Sequence, residues 1–377
     1  MNILFVVPSY KPAYTYGGPI VVIALLAEAL VRLGHTVTVY TTTANGKEEL
    51  AVPVGQPVSV DGVQVYYFKR VTGDHTHASP ALWQHLYKKV RTFDVVHMHS
   101  WWNLLIIGAA WVCRLRGVTP VLSPHGMFSN YILDTNNAGK KKWLHRLLGK
   151  RLLQGTFLHV STLMEWQESH RVIPNWPGAI IPNPVTLAQQ EHPRKQPSSE
   201  LVIGFLSRLD PKKGLDVLLR ALSNVTFPFR LRVAGDGDPA YVQSLKELAS
   251  SLGLAERVEW VGWKKGEDKF AYLAGVDLFA LTSHSENFAI VVIEALAVGT
   301  PVMVSDQVGL HSFVAEHQYG WVTSMDLSTI SRTLTTIAHD ATARARITAT
   351  APAAIRAAYD DAHLAQQYVD LYQKVAL

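Results

Sequence analysis

The sequence predicts an α/β protein of two domains, each built on a parallel sheet. Strand-length apolar runs alternate with helix-length segments from residue 2 to 184, and the same rhythm resumes at 201. Between the two series lies 186–200, TLAQQEHPRKQPSSE, a polar stretch with Pro193 and Pro197 and no periodicity. The chain's 377 residues also exceed the size at which a single core usually stops growing. The expected layout is a first domain at 1–188, a linker at 189–200, a second domain at 201–355 and a terminal helix at 356–377.

Composition narrows the function classes. With 48% hydrophobic and 17% charged residues the chain is globular, and its longest apolar run, 104–113, is about half of a membrane span. The opening MNILFVVPSY has no basic leader region and reads as a buried strand rather than a signal peptide. The single cysteine, Cys113, allows no internal disulfide. A cytoplasmic protein is expected. Residues 1–190 carry a net charge of +8 and the remainder −3. A basic first half suits a phosphate-rich ligand or an anionic surface, and with no zinc-finger spacing and no RNP-like motif a nucleic-acid partner is not expected.

In chain order, 2–8 is a buried strand, and a turn containing Tyr16, Gly17, Gly18 and Pro19 leads into an apolar helix that ends near Leu33. The strand TVTVYTT at 36–42 completes a βαβ unit. Glycines at the first strand-to-helix turn let the backbone approach a ligand, but without G-x-G-x-x-G a nicotinamide cofactor is not supported. Residues 58–70 alternate around Asp61-Gly62, a hairpin signal. The strand DVVHMH at 94–99 places His97 and His99 on one face, a pattern that also suits a metal, although no third ligand stands at a telling spacing. Trp101 and Trp102 follow at the strand's carboxyl end, the edge where α/β sheets bind ligands, with packing under a loop as the alternative. After the strand at 118–123 comes Pro124-His125-Gly126. Residues 139–153, GKKKWLHRLLGKRLL, form a basic amphipathic helix that either packs on its own domain or docks on an anionic membrane.

The second series starts with the strand LVIGFLS at 201–207, which leads into Arg208 and Lys213. Both cations leave one strand end within a single loop, so both can reach a diphosphate. The strand at 229–234 precedes Gly235-Asp236-Gly237-Asp238, where D-x-D offers a metal reading and the glycines a close-approach reading. VEWVGW at 258–263 is a further strand. TSHSENFAIVVIEALAVGTPVMVSD at 282–306 then holds Glu286 and Glu294 around an apolar run ending at Gly299. A helix starting near Asn287 puts Glu286 at its positive end and Glu294 about two turns inside. The carboxylates are then roughly 12 Å apart, the reach of a sugar joined through a diphosphate to a ribose. Residues 328–354 are helical, and the last 20 residues form an amphipathic helix with Tyr359, Leu364, Tyr368, Leu371 and Tyr372 on its apolar side.

The spacing of Glu286 and Glu294 resembles the E-x7-E motif of retaining glycosyltransferase family 4, with its GT-B fold of two Rossmann-like domains facing a cleft. Four further segments resemble that family in the same order: the Gly17-Gly18 loop, His125-Gly126, the R-x4-K pair Arg208 and Lys213, and the loop at Gly235 and Gly237. The resemblance implies that Glu286 contacts hydroxyls of the donor sugar and Glu294 the ribose, with Asn287, Phe288, Ala289 and Ile290 beside the phosphates. Here Asn287 and Ala289 stand where the family often has glycine, as does Pro184 in the PNP segment before the domain crossover. It further implies that His125 lies beside the donor sugar near the reacting carbon and that Arg208 and Lys213 neutralise the departing diphosphate. Gly17 and Gly18 would meet the diphosphate and shape the acceptor side, and Val261, Gly262 and Trp263 would meet the base. The terminal helix is expected to cross back to the first domain. Trp101, Trp102 and Tyr16 are the acceptor candidates.

The implied reaction moves a glycosyl group from a UDP-, GDP- or ADP-sugar to the hydroxyl of a glycan or lipid-linked acceptor, with retention and with neither cofactor nor metal. A protein peripheral on the inner face of a membrane, in polysaccharide biosynthesis, fits that reading. The alternatives are a nucleotide-sugar epimerase, which needs acid and base groups on the sugar ring, and a non-catalytic nucleotide-sugar-binding protein.

Overall fold

Asn2–Val6, buried from Ile3 onward, pairs in parallel with Thr36–Thr42 on one side and Val95–His99 on the other. Uninterrupted apolar strands of this kind belong inside a parallel sheet covered on both faces. The computed structural model describes residues 1–129, 131–132, 149–194 and 199–376. In it this sheet has eight strands, in the order Gly178–Ile180, Phe157–Val160, Val121–Ser123, Val95–His99, Asn2–Val6, Thr36–Thr42, Val63–Phe68 and Pro57–Val60. Only the last pair is antiparallel. There Val60 faces Val63 across Asp61 and Gly62 at φ 50° and 84°, the two left-handed residues that a tight hairpin turn needs.

The second sheet has six parallel strands, in the order Val258–Trp260, Phe229–Ala234, Leu201–Leu206, Leu278–Leu281, Val302–Ser305 and Gly320–Thr323. That is the doubly wound 3-2-1-4-5-6 order, whose direction of winding reverses between the first and fourth strands. The loops leaving Leu201–Leu206 and Leu278–Leu281 therefore emerge side by side at the carboxyl edge.

The chain divides into one unit of Met1–Pro184 with Tyr359–Leu377 and a second of Val185–Ala358. The terminal helix, Asp361–Ala376, belongs to the first unit. It packs on the Gly18–Arg32 helix and the Val95–His99 strand, burying Leu364, Ala365, Tyr368, Val369, Leu371 and Tyr372. The polar stretch expected to be a linker is held to the second unit: the Gln189 N–H donates to Glu267, His192 Nε2 lies 2.7 Å from the same carboxylate, and Arg194 donates to Thr300. The helix expected at 328–354 is two helices, Leu327–His339 and Ala341–Ala358. They part at Asp340, whose carboxylate accepts from the Ala343 N–H and caps the second.

Among the described residues no helix is long and apolar enough to cross a membrane. Most of the basic stretch at 139–153, including Lys140, Lys141, Lys142 and Trp143, lies outside the described residues. Its end, Lys150–Leu153, is a short helix that buries Leu152 and Leu153.

Candidate active site

At the switch point of the second sheet, glycine sets the geometry. Gly214 closes the loop after Leu201–Leu206 at φ 67°, and a Cβ on it would lie 1.9 Å from the Thr282 carbonyl oxygen. Only glycine lets the two loops touch. The contact brings Lys213 to Glu286, and the two side chains form an ion pair. Glu286 is fixed from behind, its N–H donating to the Gln307 carbonyl at 3.0 Å and its own carbonyl accepting from Gly309 at 2.8 Å. Lys212 lies in the same loop, its ammonium pKa lowered by burial against the opposing pull of Glu286. Arg208 is exposed and makes no ion pair among the described residues.

The helix after Glu286 starts later than expected. It spans Ile290–Ala297, and Ala289 precedes it at φ 63°, ψ 68°. Asn287, Phe288 and Ala289 therefore form a lead-in, with the Phe288 ring buried. Glu286 stands four residues ahead of the helix rather than directly at its positive end, and Glu294 lies one turn inside, not two. The left-handed residue delays the start, because a residue in that conformation cannot be part of a right-handed helix. Glu294 is buried, and Lys269, from the Gly266–Ala274 helix, pairs with it. Burial raises the carboxyl pKa and Lys269 opposes the rise. Nothing in the sequence signals this lysine, one of several charges on an amphipathic helix.

The glycine loop serves the protein backbone. A Cβ on Gly235 would stand 2.1 Å from the Ser207 carbonyl oxygen, and one on Gly237 2.1 Å from that of Leu209. These glycines thus seat the loop carrying Arg208, whereas the sequence reading has them admit a ligand. Asp236 accepts from the Gly237 N–H, and Asp238 caps the Pro239–Ser251 helix, so D-x-D is turn and cap chemistry. Val261 extends the Val258–Trp260 strand by donating to the Val233 carbonyl, Gly262 turns at φ 69°, and Trp263 is 53% exposed.

In the first unit Gly17, at φ 76°, is the N-cap of the Gly18–Arg32 helix, with Gly18 its first residue. The Tyr16 side chain lies outside the described residues. His125 and Gly126 follow Val121–Ser123 with φ 52° and 77°. The Gly126 N–H donates to the buried Glu165 carboxylate at 2.6 Å, and the second oxygen of Glu165 accepts from the Ser161 N–H and hydroxyl. Thr162-x-x-Glu165 is the capping-box spacing, a legible signal that sequence reasoning passed over.

His97 and His99 share one face, with ring centroids 4.1 Å apart, and their partners are protein groups. His159 Nε2 lies 3.0 Å from the Ile181 carbonyl, which can only accept, so that nitrogen carries the proton. Nδ1 of His159 then accepts from the Ser123 hydroxyl at 2.6 Å. Ser123 in turn accepts from His97 Nε2 at 2.6 Å, and His97 Nδ1 accepts from Tyr372 at 2.7 Å. Every proton in this buried chain is assigned, with each histidine neutral. Burial holds His159 down at about 3 and His125 at about 4, and drives His97 and His99 well below the usual histidine range. Among the described residues no group of three or more His, Cys, Asp or Glu can hold a metal ion.

The tryptophans divide. Trp101 is fully buried in the core with Leu105, Phe128 and Trp176, which removes it from the acceptor candidates. Trp102 is half-buried and its indole N–H donates to the Met127 carbonyl at 2.7 Å.

Comparison with known proteins agrees with the two-unit division. The family model "Glycosyl transferase 4-like domain" matches residues 17–184 and "Glycosyl transferases group 1" matches 188–353. D-inositol 3-phosphate glycosyltransferase of Corynebacterium urealyticum is 27% identical over 339 residues, covering 81% of this chain and 78% of that protein. Among solved structures, Anabaena HepE in complex with UDP is similar with a TM-score of 0.76 at 20% identity, covering 99% of this chain and 100% of HepE. Sucrose-phosphate synthase from Thermosynechococcus elongatus reaches 0.75 at 18%, covering 100% and 99%. Because the two models meet at the boundary between the units and span nearly the whole chain, it belongs to glycosyltransferase family 4, enzymes of the GT-B fold that transfer sugar from a nucleoside diphosphate sugar to an acceptor hydroxyl.

Proposed function

We propose that the second unit binds the donor at its switch point, with Glu286 on the sugar, Arg208 and Lys213 on the diphosphate and Glu294 on the ribose. The observation that carries this reading is the convergence there of Lys213 and Glu286 in one ion pair, beside the loop of Arg208 and ahead of the helix that carries Glu294 in its second turn. Ala289 and Ile290 offer backbone N–H groups to the phosphates, beside Asn287 and Phe288, whose ring is buried. Trp263 offers an exposed ring beside the base, with Val261 and Gly262 as backbone contacts; Gly235 and Gly237 seat the Arg208 loop. Gly17, Gly18 and His125 are the residues of the first unit that the family resemblance assigns to the donor. HepE is solved with UDP and with UDP-glucose, which supports a uridine donor.

As the anomeric C–O bond breaks, its electron pair goes to the diphosphate oxygen. Arg208, with no competing carboxylate among the described residues, meets that charge. Cationic side chains supply what a metal would, and the anomeric configuration is retained. The acceptor hydroxyl belongs to a glycan or a lipid-linked glycan, with Trp102 and Tyr16 beside it, and the basic stretch at 139–153 brings the enzyme to an anionic membrane surface.

The test measures UDP release from a panel of UDP-sugars, with GDP- and ADP-sugars alongside, in the presence and absence of a glycan or lipid extract. Arg208→Ala is expected to lower kcat by about 10²–10³, and Glu294→Gln to raise the donor KM. Isomerised donor without diphosphate release would make the protein an epimerase. Heat stabilisation by donor with no turnover would make it a sensor.

A further inference from the structure

His99 ends the Val95–His99 strand with 2% exposure, and its ring meets that of His125. The nitrogens His99 Nδ1 and His125 Nε2 are 3.1 Å apart, the planes 12° from parallel and the centroids 5.3 Å apart. That is an edge-to-edge contact in nearly one plane, the direction in which an imidazole N–H and lone pair point. One ring donates and the other accepts.

The opposite edge of His99 decides which. His99 Nε2 is buried with no hydrogen-bond partner among the described residues, and the rings of Phe5 and His97 lie against His99 at centroid distances of 5.0 and 4.1 Å. If His125 donated, the neutral His99 ring would carry its own proton on Nε2 and bury an orphaned N–H. If His99 donates, only a lone pair is left over. A buried donor without a partner is the rarer and costlier of the two. His99 is therefore the Nδ1–H form, and His125 accepts at Nε2. A neutral His125 then carries its proton on Nδ1, and its ring makes no other hydrogen bond among the described residues.

The backbone is held for the same purpose. His125 has φ 52°, uncommon for a residue with a Cβ, and the next N–H, that of Gly126, is clamped by Glu165. One buried partner fixes the peptide and the other the ring.

We propose that His99 is a positioning residue that sets His125 as the Nδ1–H tautomer, so that the ring offers the donor sugar an N–H rather than a lone pair. The catalytic part of this inference rests on the reading of His125 as a donor-sugar contact; the tautomer does not. An N–H aimed at the sugar donates to a hydroxyl oxygen and leaves that hydroxyl's own proton to be given elsewhere. A lone pair would take that proton instead.

The experiment reads tautomers by two-bond 15N–1H correlation on the full chain, with His125 assigned by its loss in His125→Gln. Wild-type His125 is expected to be protonated at Nδ1, and a signal from the Nε2–H form overturns the proposal. In His99→Asn the amide stands where Nδ1 was, and the tautomer is kept. In His99→Gln the amide stands where Nε2 was, and His125 shifts towards Nε2–H; no shift overturns the proposal. Melting temperatures check that both variants fold, and if neither does, the wild-type spectrum decides alone. Turnover is expected to fall roughly tenfold or more in His99→Gln and to recover in His99→Asn. A shifted tautomer with unchanged turnover would overturn the reading of His125 as a donor contact while leaving the tautomer assignment in place.

Discussion

Ala289 holds φ 63°, ψ 68° ahead of the Ile290–Ala297 helix, a conformation that costs a residue with a Cβ about 1–2 kcal/mol. Glycine avoids the clash but loses more freedom on folding, by roughly 0.5–1 kcal/mol. Ala289→Gly should therefore stabilise the second unit by up to about 1 kcal/mol, a calorimetric rise of roughly 2–4 °C; a lower melting temperature would show that the side chain is needed. The departure from glycine was legible in the sequence, but the backbone angle it must adopt was not. Lys269 is the converse case, decisive in place and silent in sequence. Glu294 is buried, and its raised pKa is opposed by Lys269. Lys269→Met should raise that pKa further, so the carboxylate proposed to accept ribose hydroxyls becomes protonated at a higher pH in the variant than in the wild type. Donor KM should rise earlier in the variant as pH is lowered and recover at high pH, with kcat little changed. A flat pH profile would disconnect Lys269 from donor binding.

Between elements, the hydrogen-bond chain Tyr372–His97–Ser123–His159–Ile181 ties the terminal helix to three neighbouring strands of the first sheet and the segment after a fourth. Each ring already donates once and accepts once, so an added proton puts two donors face to face. Around the chain lie His99, His125, the phenol of Tyr368 and the buried carboxylate of Glu165. These histidines have folded pKa values below the unfolded value, so the unfolded state binds more protons throughout that gap. Stability of the first unit is full above about pH 6.5 and falls as pH drops towards 4, on the order of 2 kcal/mol for each of His125 and His159 by pH 5. Melting curves at pH 8, 6 and 5 should show the first unit losing stability faster than the second, and parallel losses would refute this. Tyr372→Phe leaves the His97 Nδ1 lone pair unmet and should cost about 1–3 kcal/mol at pH 8. H-x-H on a strand told that both rings share a face. It could not tell that a serine and a tyrosine 275 residues away would occupy His97 while His125 meets His99, because those partners come together only in the folded sheet.

At the scale of the molecule, strand rhythm and the order of loop motifs disclosed two sheets of mainly parallel strands, since several strand ends are marked locally by glycine, charge or histidine, as at His99, His125, Arg208 and Gly235. The 189–194 segment resisted the same reading: proline and polarity mark a loop, while its attachment to Glu267 and Thr300 depends on residues far along the chain. The terminal segment supplies the sharpest test of how the chain is partitioned. Asp361–Ala376 covers the apolar side of Gly18–Arg32 and places Leu364, Tyr368, Val369, Leu371 and Tyr372 in the first unit's core. At roughly 1.5–3 kcal/mol for each large side chain buried, their loss is comparable to the whole stability of a domain, about 5–15 kcal/mol. A chain ending at Ala358 also strips His97 of its tyrosine donor. The full chain should melt in two calorimetric transitions and the shortened chain in one, that of Val185–Ala358, with the first unit exposing dye-binding apolar surface before heating. If both transitions persist, the terminal helix decorates the first unit and the core does not depend on it.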